Sequence, residues 1–382
     1  MNELVVCSLE EWDEIWRRNQ FLVDRLSRRD PELQVLFVEP AADPLHDLRR
    51  GRPPRWPRLR SVGGQRRLRA FRPLKPLPRL AGGAADAALR AQVRVVARAL
   101  GFARPTLWLN DVTYAPLIGE TGWPTVYDVT DDWLLAPAGG RELGRLRRLD
   151  ELAVREADEV VVCSPDLARS RGATRQVTLI PNAVDVEHFR RPRERPADLP
   201  QAPVAVYVGS LHDSRLDLEL VIELAQAIDA LSFVLVGPDS LSSSARDSLI
   251  AANVRLLGPR PYADVPGYLQ HADVIVVPHR VDAFTESLDP IKAYECLAVG
   301  RPVVATPVAG FRELSGCVAV TGPEGFADAV RMALSGELRG AAATKIPSWD
   351  ERADAFAAAL IRAGYAARRE IPFRPSRVSS DQ

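Results

Sequence analysis

The segment LDPIKAYECLAVGRPVV, residues 288–304, places a lysine where helix electrostatics disfavour one. Asp289 can cap a helix and Pro290 suits its first position, while Gly300 is typical of a helix end. Lys292 then lies in the first helical turn, where the helix dipole already presents partial positive charge. A bound anion, phosphate being the usual one, would resolve this conflict, because the free amides, the dipole and the ammonium group would all point at it.

A glutamate three residues after this lysine adds a second kind of contact. Glu295 shares a helix face with Lys292, about 4.5 Å further along the axis. A carboxylate so close to a phosphate would be repelled, so Glu295 should face neutral hydroxyl groups. The pair suits a nucleoside diphosphate, with Lys292 on the phosphates and Glu295 on the ribose. The other candidates at this helix start are Asp289, Pro290 and Ile291. The alternative is an ordinary surface ion pair between the lysine and the glutamate.

A second candidate phosphate contact lies in the loop that follows the apolar run VAVYVGS, residues 204–210. Gly209 would let the backbone come close to a ligand, and the amides of such a loop, that of Ser210 among them, can bind phosphate. Arg215 is the nearest cation. Its alternative role is a surface ion pair with one of the aspartates that lie two residues away on either side.

A cluster of carboxylates ends another apolar run, in TVYDVTDDW, residues 125–133. Asp128, at the strand end itself, and Asp131 are candidates for the base that deprotonates an attacking hydroxyl group, because a clustered, partly desolvated carboxylate gains basicity. Asp132 and Trp133 are candidate contacts for the molecule that carries this hydroxyl. A turn or N-cap role is the alternative for Asp131 or Asp132.

The elements that would position these groups alternate between short apolar runs and helix-length segments. Continuous Val- and Leu-rich runs separated by amphipathic helices predict parallel sheets covered on both faces, and ligands of such sheets bind at the carboxyl ends of the strands. The chain is therefore predicted to be an α/β protein with two doubly wound domains. Twelve strands are predicted, at residues 4–9, 35–40, 106–111, 125–129, 159–164, 177–182, 204–210, 233–237, 254–258, 273–278, 302–306 and 317–320.

The length of 382 residues also favours two domains, and a linker-like segment spans residues 190–203. Ser348 and Glu351 have the spacing of a capping box at the start of a final helix. We expect a first Rossmann-like domain at 1–195, a second at 196–347, a helix at 348–370 that packs back towards the first domain, and a loose tail at 371–382.

The overall amino-acid composition and charge do not indicate a particular class of binding partner. The 50 basic and 50 acidic residues cancel to a formal net charge of zero. The four cysteines form no CxxC pair, which argues against a zinc site or a disulfide framework and suits a reducing compartment. The N-terminus does not resemble a signal peptide, and no run approaches the roughly 20 apolar residues that cross a bilayer. We expect a cytoplasmic protein, with peripheral binding to the inner membrane face as an option.

One segment, residues 49–79, holds twelve basic residues and no acidic one. It also contains Trp56, Phe71 and many prolines. Three interpretations compete: a solvated loop, a surface that docks on anionic lipid or a lipid-linked diphosphate, and a nucleic-acid site. The last is disfavoured, because no nucleic-acid-binding motif accompanies the segment.

Several segments, in their order along the chain, resemble glycosyltransferases of the GT-B fold in the large family-four-like group, the glycosyl transferases group 1. The segments are VVCSPDLARS (161–170), LIPNAVDVEHF (179–189), ADVPGYLQHADVIVVP (263–278) and DPIKAYECLAVGRPVVAT (289–306). The resemblance implies two Rossmann-like domains that face each other across a cleft. It also implies that Glu295 binds the donor ribose. In the branch with S-x-D-P-x-K-x-x-E, it further implies that Lys292 meets the diphosphate.

The chain departs from the common family pattern at three places. Ser287 stands where an earlier glutamate is usual, and Ser210 and Leu216 stand where many relatives carry an arginine and a lysine. Retaining relatives usually have a histidine near the position of Asp128, so the stereochemical outcome stays open.

The resemblance implies a hexosyltransferase-type enzyme that moves a sugar from a nucleoside-diphosphate sugar, uridine- or guanosine-linked, to an acceptor hydroxyl. The acceptor would be a lipid-linked intermediate, a saccharide or a small molecule. Enzymes of this fold normally need no metal, and no cofactor or nucleic-acid partner is expected. Two alternatives are a nucleotide-sugar epimerase and a non-catalytic protein that only binds a nucleotide.

Overall fold

Two parallel β-sheets, each packed between helices, make up the protein. The computed structural model describes residues 2–49, 51, 53–63, 65–75, 83–135, 140–201, 203–314, 316–340 and 345–365. Each of the twelve predicted apolar runs overlaps a strand of one of these sheets. The predicted α/β class with two doubly wound domains is confirmed.

The first sheet has eight strands in the described part of the chain. They are β1 (Glu3–Cys7), β2 (Gln34–Val38), β3 (Arg58–Val62), β4 (Gln65–Arg72), β5 (Thr106–Leu109), β6 (Thr125–Val129), β7 (Glu159–Val162) and β8 (Thr178–Leu179). Their order is β3-β4-β2-β1-β5-β6-β7-β8, and every neighbouring pair is parallel except β3 and β4. The direction of winding reverses between β1 and β5, which is where such a sheet opens a crevice for ligands.

The second sheet has six parallel strands among the described residues. They are β9 (Val204–Val208), β10 (Ser232–Val236), β11 (Arg255–Gly258), β12 (Val274–Val277), β13 (Val303–Ala305) and β14 (Ala319–Val320). Their order is β11-β10-β9-β12-β13-β14, so the winding reverses between β9 and β12.

Helices connect these strands in both domains. In the first half of the chain they are α1 (Arg18–Arg29), α2 (Pro44–Arg49), α3 (Gly83–Ala99), α4 (Leu117–Thr121), α5 (Gly140–Glu156), α6 (Pro165–Gly172) and α7 (Val186–Arg190). In the second half they are α8 (Leu218–Ala227), α9 (Ser243–Ala251), α10 (Val265–Gln270), α11 (Ala283–Glu286), α12 (Ile291–Val299), α13 (Pro323–Ser335) and α14 (Trp349–Arg362).

The central strands are apolar at consecutive positions because both faces of each sheet are covered. In β1, Leu4 and Val6 belong to one buried cluster, while Val5 and Cys7 belong to another on the opposite face. All four side chains are fully buried. Successive strand side chains point to opposite faces, so such a run can be satisfied only by helices on both sides.

The last helix, α14, packs on the first domain. Its start has the predicted capping box, in which Ser348 and Glu351 exchange side-chain and backbone hydrogen bonds. Trp349 stacks on Phe21 of α1 with ring centroids 4.7 Å apart. The helix ends at Arg362, earlier than the predicted 370, and the predicted tail at 371–382 lies outside the described residues.

The interpretation of residues 49–79 as a solvated loop, one of the three considered, is wrong at Arg58–Val62 and Gln65–Arg72, which are strands. Strands β3 and β4 form an antiparallel pair that extends the first sheet. The arginines fit into this pair because carboxylates from other parts of the chain neutralise them. Residues 50, 52, 64 and 76–79 lie outside the described part. The ion pairs are Arg55 with Glu11 and Asp47, Arg58 with Glu11 and Glu39, Arg60 with Glu39, Arg67 with Glu32, Arg72 with Glu11 and Glu39, and Lys75 with Asp43.

No helix in the described ranges combines the length and the apolar character that a membrane crossing requires.

Candidate active site

A cleft of about 270 Å³ lies between the two domains, where the carboxyl ends of both sheets face each other. On the first domain its walls follow β1, β5 and β6; on the second they follow β9, β10 and β12, together with the start of α12. Parallel α/β sheets bind ligands at this edge. The predicted residues that line this cleft are Asp131, Gly209, Ser210, Arg215, Asp289, Pro290, Ile291, Lys292 and Glu295.

Lys292 lies in the first turn of α12, as predicted, and its side chain reaches into the cleft. Its ammonium nitrogen lies 5.2 Å from the centroid of the Tyr207 ring, a cation–π contact. Among the described residues it forms no ion pair, and the first turn of α12 contains no acidic residue. The ammonium group therefore adds to the positive end of the helix dipole, while the carboxylates of Asp289 and Glu295 lie on the same wall of the cleft.

Glu295 lines the same cleft one helical turn beyond Lys292. The two side chains interact electrostatically but do not form the surface ion pair that was the alternative interpretation. Burial raises the pKa of Glu295 to about 7, although Lys292 pulls it down. A carboxyl group with a pKa this high gains or loses its proton near neutral pH, and in its ionised form it can accept hydrogen bonds from a ligand.

The start of α12 differs from the prediction by one position. Pro290 is the N-cap residue, and Asp289 precedes it without capping the helix. The carboxylate of Asp289 instead accepts hydrogen bonds from the backbone N–H of Asn182 and from the hydroxyl of Tyr294. Asn182 belongs to the segment that leaves the first domain, so Asp289 ties this helix start to the other side of the cleft.

The loop after β9 approaches the cleft through its backbone. Gly209 has φ +153°, and a Cβ atom there would lie 2.8 Å from the Tyr207 hydroxyl and 2.9 Å from the Lys292 ammonium. A side chain at Gly237, after β10, would collide with the carbonyl of Gly209. Only glycine fits at these two strand ends. Ser210 follows as an exposed residue on the rim of the cleft.

Arg215 and Asp131 meet across the cleft. The guanidinium Nη2 lies 3.7 Å from Oδ1 of Asp131, and the same guanidinium lies 5.3 Å from the centroid of the Phe284 ring. The alternative partners of Arg215 are engaged elsewhere, since Asp217 caps α8 and Asp213 accepts the backbone N–H of Ser242. Burial raises the pKa of Asp131, while Arg215 and the Thr130 hydroxyl lower it.

Asp128 does not face the cleft, contrary to the prediction. Its carboxylate is fully buried and accepts two hydrogen bonds from Arg18, at 3.1 Å from both Nε and Nη2. The indole N–H of Trp108 donates a third at 3.3 Å. Asp128 is the penultimate residue of β6, so its side chain points to the same sheet face as that of Val126, towards α1.

Asp132 also has a structural partner in place of the predicted acceptor contact. It is buried and holds Arg171 through two hydrogen bonds of 2.9 and 3.1 Å. Trp133 is partly exposed and packs on Phe284 of the second domain, with ring centroids 5.8 Å apart.

Trp133 lines a smaller pocket of about 260 Å³ beside the cleft, within the first domain. This side pocket shares Asn110, Thr130 and Asp131 with the cleft, so the two spaces adjoin at Asp131. Its wall combines apolar groups, such as Val112, with carboxylates and arginines. It can take an amphiphilic molecule whose polar end reaches Asp131.

The titratable cleft residues that the sequence analysis missed include Glu10 after β1 and His279 after β12. Burial raises the pKa of Glu10 to about 7, against the effect of Arg17, and Asp131 adds to the rise. The ring of His279 pairs with the Tyr207 hydroxyl at 3.1 Å, and burial, with Lys292 and Arg215, lowers its pKa. Both residues directly follow apolar runs, and the strand-end rule applied to every run would have found them.

The described residues contain no group of three or more His, Cys, Asp or Glu side chains placed to hold a metal ion. The second domain contributes the cations Lys292 and Arg215 and glycine backbone, together with the carboxylates of Asp289 and Glu295. The first domain contributes the carboxylates of Glu10 and Asp131, together with Arg17 and Arg18. This distribution suits a ligand with an anionic end towards α12 and a neutral hydroxyl-bearing end towards Asp131.

Comparison with known proteins agrees with this arrangement. The model of the family described as glycosyl transferases group 1 matches residues 202–336. A Bacillus subtilis (strain 168) protein, provisionally named the teichuronic acid biosynthesis glycosyltransferase TuaH, is 27% identical over 221 residues, which are 53% of this chain and 55% of the relative. The chain therefore spans about half the length of this curated relative.

Solved structures match nearly the whole chain. The Anabaena protein HepE, in complex with UDP and glucose, has a TM-score of 0.61 at 17% identity, covering 95% of this chain and 97% of that one. An α,α-trehalose-phosphate synthase (UDP-forming) from Burkholderia vietnamiensis has a TM-score of 0.60 at 13% identity, covering 96% and 97%. Residues 202–336 therefore carry a glycosyl transferases group 1 domain, within a chain that as a whole has the GT-B fold of these neighbours.

Proposed function

We propose that the protein is a glycosyltransferase that moves a sugar from a nucleoside-diphosphate sugar to an acceptor hydroxyl. The observation that carries the proposal is the start of α12, where Lys292 faces the cleft without an ion-pair partner among the described residues and Glu295 follows one turn later. The arrangement supports a diphosphate at the helix start and a ribose at the glutamate.

The donor lies with its diphosphate between Lys292, the α12 amides and the backbone at Gly209. Arg215, later in the same loop between β9 and α8, reaches the same space. When the bond from the anomeric carbon to the phosphate oxygen breaks, its electron pair leaves with the diphosphate. Fixed cations and amides at that point stabilise the growing charge and so lower the barrier.

The acceptor enters from the first domain, where Asp131 and Glu10 face the donor side of the cleft. The hydroxyl oxygen forms the new bond to the anomeric carbon and its proton passes to a carboxylate. Asp131 is the better placed of the two, because it lies where the cleft joins the side pocket and beside the cation that contacts the diphosphate. Its raised pKa makes it a stronger base than an exposed aspartate.

The comparisons support a uridine-linked donor. HepE is described with UDP and glucose, and the trehalose-phosphate synthase as UDP-forming. The name of TuaH adds support for an acceptor that belongs to glycan synthesis. The guanosine-linked donor and the role of Lys292 implied by the S-x-D-P-x-K-x-x-E branch remain predictions.

A binding panel with uridine, guanosine, thymidine and adenosine diphosphates tests the donor, and incubation of the preferred donor sugar with and without acceptors tests the reaction. We expect binding of one or two nucleotides, slow donor hydrolysis alone and transfer when the acceptor is present, in the presence of a chelator. A donor epimer formed without acceptor would identify an epimerase. Nucleotide binding without hydrolysis or transfer would identify a non-catalytic protein, and absence of all nucleotide binding would refute the proposal.

A further inference from the structure

Three large apolar side chains of the first domain stand out in solvent. Leu45 is 62% exposed, Leu48 is 59% exposed and Trp56 is 64% exposed. A tryptophan that presents most of its surface to water is uncommon, and clusters of such side chains mark interaction sites. We call these three residues the apolar patch.

The patch is held together by the structure around it. Leu45 and Leu48 are three residues apart on α2 and therefore share one helix face. Arg55 donates hydrogen bonds from its backbone N–H and from its guanidinium to Asp47, each 3.1 Å long, and so fixes the segment that carries Trp56 against α2.

Exposed arginines flank the patch. Arg55 and Arg58 keep 43% and 42% of their side-chain surface exposed, whereas their partners Asp47 and Glu39 are buried. Arg49, at the end of α2, is also exposed, and two exposed carboxylates, Asp13 and Glu14, lie on the loop that contacts Arg55 through Glu11. The ion pairs in question join Arg55, Arg58, Arg60 and Arg72 to Glu11, Glu39 and Asp47.

The patch adjoins the cleft. Arg55 bonds to Glu11 at 3.0 Å, and Glu11 is the neighbour of the cleft residue Glu10. The backbone of Trp12, on the same loop, donates to Glu39 at 3.2 Å, and Arg60 donates to its carbonyl. A partner bound to the patch would therefore lie beside the mouth of the cleft on the first-domain side.

We propose that the apolar patch docks the protein on an anionic bilayer surface. Tryptophan and leucine enter the interface between headgroups and acyl chains, and each arginine near an anionic surface contributes to the attraction. Docking at this place brings the mouth of the cleft to the membrane, where an acceptor with a lipid anchor is within reach. This last consequence rests on the proposed function, whereas the docking itself does not.

Co-sedimentation with vesicles tests the docking with the full-length protein. We expect binding to vesicles of phosphatidylcholine with phosphatidylglycerol, weakened by salt, and much weaker binding to phosphatidylcholine alone. The variant Leu45→Ser, Leu48→Ser, Trp56→Ala should lose at least about tenfold in partitioning. The matched control Val95→Ser, Ile250→Ser, Met332→Ser removes three side chains of comparable exposure elsewhere and should bind as the wild type does.

Equal partitioning of the patch variant and the control, or no vesicle binding by the wild type, would overturn the proposal. Light scattering after gel filtration measures the oligomeric state and so tests whether another copy of the chain occupies the patch. A dimer formed by the wild type but not by the patch variant would assign the surface to that second copy and overturn the proposal. Titration with uridine diphosphate tests the glycosyltransferase proposal separately from the docking proposal. The patch variant should bind the nucleotide as the wild type does, and a protein that docks on vesicles but binds no nucleotide would refute only the glycosyltransferase.

Discussion

The guanidinium of Arg215, on the second domain, lies 3.7 Å from the carboxylate of Asp131, on the first. Each group has a separate task in the proposed reaction, since Arg215 contacts the diphosphate and Asp131 takes the acceptor proton. In the protein without ligand they partly neutralise each other. A bound diphosphate competes with Asp131 for Arg215, and a carboxylate that loses its cation becomes more basic.

Replacing Asp131 by Asn separates these two tasks. Asp131→Asn should lower transfer by about 10²–10⁴-fold, because the base is lost. The same change should leave the affinity for uridine diphosphate unchanged or raise it by up to about fivefold. The reason is that Arg215 no longer has to break its ion pair with Asp131 before it binds the diphosphate. Calorimetric titration and a transfer assay measure both effects. Asp247→Asn, an exposed residue of α9, is the control, and weaker nucleotide binding by Asp131→Asn would contradict this account.

Lys292 should matter more for the reaction than for folding. Lys292→Ala removes a fixed cation beside the leaving group, and we expect transfer or donor hydrolysis to fall by about 10²–10³-fold with a smaller loss in nucleotide affinity. The thermal unfolding temperature should stay near that of the wild type, because the ammonium group has no ion-pair partner to lose among the described residues. Lys345→Ala, at an exposed position, is the matched control. A rate that stays within a few fold of the wild type would remove Lys292 from the proposed site.

Glu295 makes nucleotide binding depend on pH. Its pKa is raised to about 7 by burial, so it is largely protonated at about pH 6 and largely ionised at about pH 8. A carboxylate accepts hydrogen bonds from two ribose hydroxyls only when it is ionised. The affinity for uridine diphosphate should therefore rise across this interval in the wild type and rise less in Glu295→Gln. Parallel slopes in the two proteins would show that the titrating group is another one, such as the phosphate itself.

The sequence predicted the fold well where a pattern is local. Runs of apolar residues with helices between them require two-sided burial, and each predicted run overlaps a strand. Strands β3 and β4 were missed because their arginines are neutralised by Glu11, Glu39 and other carboxylates that lie far away in the sequence. The predicted start of α12 was one residue too early, and again a partner distant in the sequence is involved. The side chain of Asp289 accepts a hydrogen bond from Asn182, 107 residues earlier, and does not cap the helix.

The candidate site was predictable as a set of loops but not as a set of side-chain directions. Lys292, Glu295, Gly209 and Asp131 reach the cleft because they follow strands or begin a helix at the carboxyl edge of a sheet. Asp128 was taken as a strand end, but β6 continues to Val129, so alternation places Asp128 on the same sheet face as Val126. On that face α1 supplies Arg18, which binds the carboxylate.

The glycine at position 209 is a direct test of the backbone contact. Gly209→Ala forces an unfavourable φ and places a methyl group against Tyr207 and Lys292, so nucleotide binding should weaken by about tenfold or more. Gly101→Ala is the matched control, because Gly101 also has positive φ, +83°, but nothing lies within 4 Å of the added carbon. Gly101→Ala should lose about 1 kcal/mol of unfolding free energy, and Gly209→Ala should lose more, because its added carbon also clashes with Tyr207 and Lys292. Equal nucleotide affinity in the two variants would place the ligand away from this loop.

The buried pair of Arg18 and Asp128 predicts a structural effect where the sequence predicted a catalytic one. Asp128→Asn leaves the guanidinium of Arg18 buried without a counter-charge, which should cost roughly 3–5 kcal/mol of unfolding free energy. Asp354→Asn, which breaks the exposed pair with Arg29, should cost less than about 1 kcal/mol. Urea denaturation at neutral pH measures both values. If the buried pair is structural, Asp128→Asn must lose stability, because it leaves the guanidinium of Arg18 without a counter-charge. An Asp128→Asn protein that is as stable as the wild type but inactive would contradict this account and assign Asp128 to the chemistry.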